Sequence, residues 1–157
     1  MKKLSFYLLT AGFLLSLNSC TSDDSPSTVS ANPQPVINTA TSGEWVVTYY
    51  FDDTDETAHF NGYTFTFSAN NVITATNGTN TYTGSWSVTN DHSGGDDDSG
   101  HHDDSNDLDF NISFSSPANF AELTDDWDII SYSANKIQLI DVSGGNGGTD
   151  YLTFEKN

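Results

Sequence analysis

From Gly43 to Phe154 the chain repeats one arrangement: short runs in which apolar and polar side chains alternate with a period of two, separated by turn-forming residues. Alternation puts the two sets of side chains on opposite faces of an extended strand, and no long segment carries the period of about 3.6 that a helix needs. "GEWVVTYYFD" sets Trp45, Val47, Tyr49 and Phe51 on one face. "YTFTF" does the same with Tyr63, Phe65 and Phe67, leaving Thr64 and Thr66 outward. "VITAT" follows a turn at Asn70-Asn71, and "TYTGSWSV" follows "NGTN", whose Asn77-Gly78 pair suits positive φ. "LDFNISF" has the plainest register, with Leu108, Phe110, Ile112 and Phe114 on the inward face. "WDIISYS", "KIQLIDV" and "YLTFE" bring the count to eight strands.

Most of these strands are joined by hairpin-length turns, which predicts an all-β domain built as an antiparallel meander. Eight such strands can close into a barrel, which removes exposed edges and leaves an interior wide enough for side chains or one small ligand. Before the sixth strand, "SPANFAEL" offers Ser116 as a helix N-cap and Pro117 at the first helical position, predicting a short helix with Phe120 and Leu123 beneath it.

Net charge narrows the partners. The 157 residues carry 22 carboxylates against 4 lysines and no arginine, a formal charge of −18. That field repels phosphate backbones, so nucleic acid is excluded as a partner. Such a charge also suits a disordered chain, but 10 Phe, 7 Tyr and 3 Trp, most of them spaced from Trp45 to Phe154, supply a core.

The first twenty residues, "MKKLSFYLLTAGFLLSLNSC", have the order of a secretory leader: Lys2 and Lys3, an apolar run from Leu4 to Leu17, then the chain's one cysteine, Cys20. Ser5, Thr10, Gly12 and Ser16 interrupt the run, which falls short of the roughly 20 apolar residues a spanning helix requires. "LNSC" resembles the lipobox of bacterial lipoproteins, with Leu17 three places before the cysteine and Ser19 immediately before it. The resemblance implies a signal peptide over 1–19 and lipid on Cys20, holding the protein to the outer membrane through its acyl chains. Asp23 and Asp24 resemble the surface-export signal of some Gram-negative lipoproteins, which implies exposure at the cell surface. Residues 20–42, rich in Ser, Thr, Asn and Pro, read as a flexible linker ahead of a barrel domain over 43–157.

Gly43-Glu44-Trp45, at the head of the first strand, resembles the Gly-x-Trp signature of lipocalins, and strand order, domain length and leader are similar to the lipocalin-like domains of small bacterial lipoproteins. The resemblance implies a binding module for a small apolar or aromatic ligand, with Tyr49, Phe65, Trp86 and Phe110 as lining. It also implies that Trp45 stacks on a basic residue from the end of the barrel. That residue is commonly an arginine; here Lys156 stands in the position. The alternative is a structural or interaction lipoprotein whose barrel is filled by its own side chains.

Chemistry is sparse. No serine has a G-x-S-x-G setting, and His59 stands alone in the loop "DETAHFNG". Asp52-Asp53 and Asp125-Asp126 are sequence neighbours, which a strand points to opposite faces. These features predict neither an enzyme nor a cofactor. "GGNGGTDYL" resembles one calcium nonapeptide, but a single copy has no stacked neighbour with which to share ligands. Residues 91–107, "DHSGGDDDSGHHDDSND", concentrate aspartate with His92, His101 and His102 and contain no apolar side chain to hold a fixed site. They read as a long acidic loop between the fourth and fifth strands that binds divalent cations weakly, with no specific metal site.

Overall fold

The computed structural model describes residues 32–90, 108–142 and 148–157. Among these are nine strands: β1 (Glu44–Asp52), β2 (Thr54–Asp55), β3 (Thr64–Phe67), β4 (Val72–Thr76), β5 (Thr81–Asn90), β6 (Leu108–Ser113), β7 (Asp125–Tyr132), β8 (Lys136–Val142) and β9 (Thr149–Lys156). β2 is a hook that folds back on the end of β1, pairing Phe51 with Asp55 and Asp52 with Thr54. The other eight follow one another antiparallel in chain order, and β9 returns to pair with β1. The fold is the expected eight-stranded antiparallel meander barrel, and helix α2 (Ala118–Ala121) precedes β7, the sixth barrel strand.

Two threonines complete the wall where the ladder lapses. β1 pairs with β3 only through Glu44↔Thr66 and Trp45↔Phe65. Further along that edge the 3-10 helix Thr57–Phe60 takes over: the Thr57 hydroxyl accepts from the Tyr50 amide at 2.9 Å and donates to its carbonyl at 3.3 Å. Thr124 repeats the device at Phe114, at 2.9 and 3.0 Å. Each hydroxyl bonds both the amide and the carbonyl of one strand residue, as a ladder partner would, and the Tyr50 carbonyl accepts from the Glu56 amide as well. Between β5 and β6 the backbones come so close that a Cβ on Gly84 would collide with the Ser113 carbonyl oxygen.

Alternation translates directly into burial on β6, where Leu108, Phe110 and Ile112 face in and their neighbours do not. β1 departs from it. Its pairing with β9 skips Thr48, and this bulge reverses the faces beyond it, so that Tyr50 is buried while Tyr49 is 40% exposed. The expected inward positions of Tyr49 and Phe51 are corrected accordingly: Tyr49, Phe51 and Tyr151 form an aromatic group on the outside of the wall, with ring centroids 6.4–6.5 Å apart. A second bulge on β7 skips Ile130, leaving it 49% exposed and turning Tyr132 inward.

Both ends of the barrel are covered. At the end where β1 begins, helix α1 (Gln34–Ala40) lies with Val36 and Ala40 fully buried. The flexible linker expected up to Ser42 is therefore corrected over its last part, which is helical and belongs to the core. Pro33 and Pro35 stand at the start of that helix, where their missing amides are not needed. At the opposite end α2 buries Phe120, with Leu123 just beyond it. Pro117, not the expected Ser116, is its N-cap residue, and no side chain caps it.

Candidate functional site

Three of the four expected ligand-lining residues meet inside the barrel as part of its aromatic core, and Trp86 also borders a groove of the wall. Phe65, Trp86 and Phe110 are at most 4% exposed. Phe67 lies 5.2 Å from Trp86, 5.4 Å from Phe110 and 5.4 Å from Phe154, and Phe154 lies 5.4 Å from Phe65. Most of these contacts are edge-to-face, the geometry aromatic rings prefer when they fill a core. Tyr49, the fourth, is on the outer surface. Cys20, Asp23 and Asp24, and the acidic segment 91–107 with His92, His101 and His102, lie outside the described residues.

All three indoles are spent on the protein itself. Trp45 donates to the Ala40 carbonyl at 2.9 Å, Trp86 to Ser68 at 3.0 Å and Trp127 to Leu123 at 3.2 Å. At the α1 end, the Lys156 ammonium sits 5.3 Å from the Trp45 ring centroid and donates to the Ser42 hydroxyl at 2.9 Å. Lysine thus takes the place expected of a basic partner for Trp45. At the far end, the Phe120 ring is within 6 Å of Phe60, Tyr63, Phe65, Tyr82 and Phe114, centroid to centroid, and closes the barrel there.

Ionisable groups gather outside this core. Glu56 immediately precedes the 3-10 helix and His59 lies within it, with the imidazole Nδ1 3.6 Å from a Glu56 carboxylate oxygen. Glu122 at the end of α2 joins them, and one potential ligand atom from each of the three lies within 4.8 Å of the others. Tyr50 ties the two segments together: its carbonyl accepts from the Glu56 amide at 3.0 Å, and its hydroxyl donates to the Glu122 carbonyl at 2.9 Å. Burial, reinforced by Asp52, Glu122, Asp150 and Glu56, raises the Tyr50 phenol far above its usual range, so it remains a donor. The sequence hid this group because His59 and Glu122 are far apart in the chain. Its one local signal was the Glu56-to-His59 spacing of three, which a 3-10 turn brings to the same side.

Two further carboxylates are perturbed. Burial pushes Asp125 up to about 6, helped by the charges of Asp141 and Asp126 and opposed by the Asp126 amide, which donates to it at 2.9 Å. Asp125 borders a shallow groove of about 440 Å³ on the outer wall, beside Ser85, Ser87, Asn111 and Thr124. Burial also raises Asp150, followed by the charges of Asp52, Asp141 and Asp53.

No protein-family model matches the chain. No curated protein matches it either. Among solved structures the chain is similar to a DUF4847 family protein from Bacteroides vulgatus, at 16% sequence identity and a TM-score of 0.46, over 78% of this chain and 97% of that one.

Proposed function

We propose that this protein is a lipid-anchored lipoprotein of the outer membrane, exposed at the cell surface, whose barrel is a rigid structural or interaction module that meets its partners through its outer face. The observation that carries this reading is the filled interior: Phe65, Phe67, Trp86, Phe110 and Phe154 occupy the space a carried ligand would need. A binding module of the lipocalin kind needs a cavity of hundreds of cubic ångströms and an open mouth. Here α1 and Trp45 cover one end, and Phe60 and Phe120 cover the other. The reading assigns the protein no enzymatic reaction and no cofactor, and it rests membrane attachment on Cys20 within "LNSC".

Native mass spectrometry of the protein purified from its own envelope extract tests the non-carrier role. An interaction module gives the mass of the lipidated chain alone or with a protein partner. A reproducible small-molecule adduct in stoichiometric amount restores the carrier reading. The anchor is tested separately by Cys20→Ala, which should move the protein out of the membrane fraction; retention of that variant after a high-salt wash would show that lipid on Cys20 is not what holds it.

A further inference from the structure

We propose that Glu56, His59 and Glu122 form a binding site for one first-row divalent metal ion, with zinc the best match to the donor set. Two carboxylate oxygens and an imidazole nitrogen are the hard-to-borderline donors that suit Zn²⁺ and its neighbours, whereas Ca²⁺ takes 6–8 oxygen ligands. Bonds of about 2.0–2.2 Å to a common tetrahedral ion bring ligand atoms to roughly 3.5 Å from one another. The His59–Glu56 pair is already at that spacing, 3.6 Å. The full set, within 4.8 Å, closes by adjusting the rotamers of side chains that are exposed or partly so.

The two segments that bring the ligands are held before any ion arrives. Tyr50 bonds the Glu56 amide through its carbonyl and the Glu122 carbonyl through its hydroxyl. Phe60 and Phe120, buried neighbours of Glu56/His59 and Glu122 along the chain, pack ring to ring at 5.4 Å. Prior fixation of this kind gives a specific site its affinity, because ordering the ligands costs little on binding.

Charge points the same way. The carboxylates of Glu56 and Glu122 converge on the His59 imidazole. Among the described residues, the lysines are engaged elsewhere: Lys136 with Glu155 at 3.1 Å, and Lys156 with Ser42 and the Trp45 ring. The chain has no arginine. One divalent ion neutralises both carboxylates at once. Three protein ligands leave at least one position for water or for a donor from a partner, and this site lies on the outer surface of the covered barrel end.

The test is calorimetric titration of the full chain with ZnCl₂, repeated for His59→Gln, Glu122→Gln and the double variant His101→Ala, His102→Ala. Co²⁺ absorption serves as a spectroscopic reading of the same site. The proposal expects one stoichiometric ion in the wild type, weakened by more than about tenfold in either of the first two variants, since even groups that only orient a metal ligand are worth about 10- to 100-fold. It expects that ion to persist in the double variant. Thermal midpoints of the metal-free variants should match the wild type, because His59 and Glu122 are exposed. Stoichiometric binding lost only with His101 and His102, binding indifferent to Glu122→Gln, or weak binding with no stoichiometric component would each overturn the proposal. None of these outcomes bears on whether the barrel interior is filled.

Discussion

The two ends of the barrel are both closed by short helical pieces, but by opposite strategies. At one end the cover is α1, a segment that precedes the barrel and docks on it through Val36 and Ala40, with the Trp45 indole bonded to the Ala40 carbonyl and Lys156 laid over the ring. At the other end the cover grows from within the meander: the 3-10 helix Thr57–Phe60 and α2 are loops between strands, locked by the contact of Phe60 with Phe120. The first end is a separate plug, and the second is continuous with the wall. Among the described residues, the clustered or perturbed titratable groups also divide unevenly. Glu56, His59 and Glu122 belong to the second end, where loop backbone can be shaped around side chains without disturbing a strand register, and Asp125 opens β7 at the same end. Packing closes both ends, and among the described residues the one group of potential metal ligands lies at the second.

The largest effects should come from deleting the two rings that close the ends. Trp45→Ala and Phe120→Ala should each cost about 3–5 kcal/mol in denaturant unfolding, within the range for large buried aromatics. The comparison sharpens if the two variants fail differently: Trp45→Ala should loosen α1 first, visible as rapid amide exchange at Ile37 and Thr41, whose bonds to Pro33 and Ile37 hold that helix. Equal protection of those amides in both variants would mean that the plug is not separate.

A smaller loss of about 1.5–2 kcal/mol is expected for Val36→Ala, which removes two buried methyl groups from the plug and nothing from the wall. An unchanged unfolding midpoint would return residues 34–40 to the status of a linker.

Asp125, beside α2, should show the opposite sign. Its carboxyl is raised in the folded chain from 3.8 to about 6, so ionisation opposes folding. The penalty is absent below the unfolded value and is fully present once the pH has risen through about 6. Asp125→Asn should therefore stabilise the protein at pH 7 by something on the order of 1 kcal/mol after allowance for solvent screening, and have little effect at pH 3.5. Thermal unfolding at the two pH values checks this, and a gain of the same size at both would remove titration as its cause.

The smallest effect belongs to Lys156→Met, which keeps the aliphatic stem over Trp45 but removes the charge and the bond to Ser42. A loss of about 0.5–1 kcal/mol is expected, and in a Trp45→Leu background it should shrink to the part that belongs to the Ser42 bond. Additivity of the two changes would show that ammonium and ring are not coupled.

The sequence carried the barrel because its strands are short, regular and locally patterned, as in Leu108–Ser113. It misled where one extra residue changes the phase. Nothing in "VVTYYF" marks Thr48 as a bulge, since Tyr49 and Tyr50 are equally able to face inward. α1 was masked by Pro33 and Pro35, which suggest extended chain, although Val36 and Ala40, four apart, were the sign of a buried helical face. The triad of Glu56, His59 and Glu122 was illegible for a different reason: its members meet only after the far end of the barrel has closed.

The central claim is that the interior belongs to the protein's own side chains. Its most direct test is titration of the wild-type chain with naphthalene and with decanoate, following the emission of Trp45, Trp86 and Trp127, all buried in the barrel core. A filled barrel predicts no saturable change in emission and no rise in the unfolding midpoint. Stoichiometric quenching accompanied by thermal stabilisation would contradict the account and make the barrel a carrier.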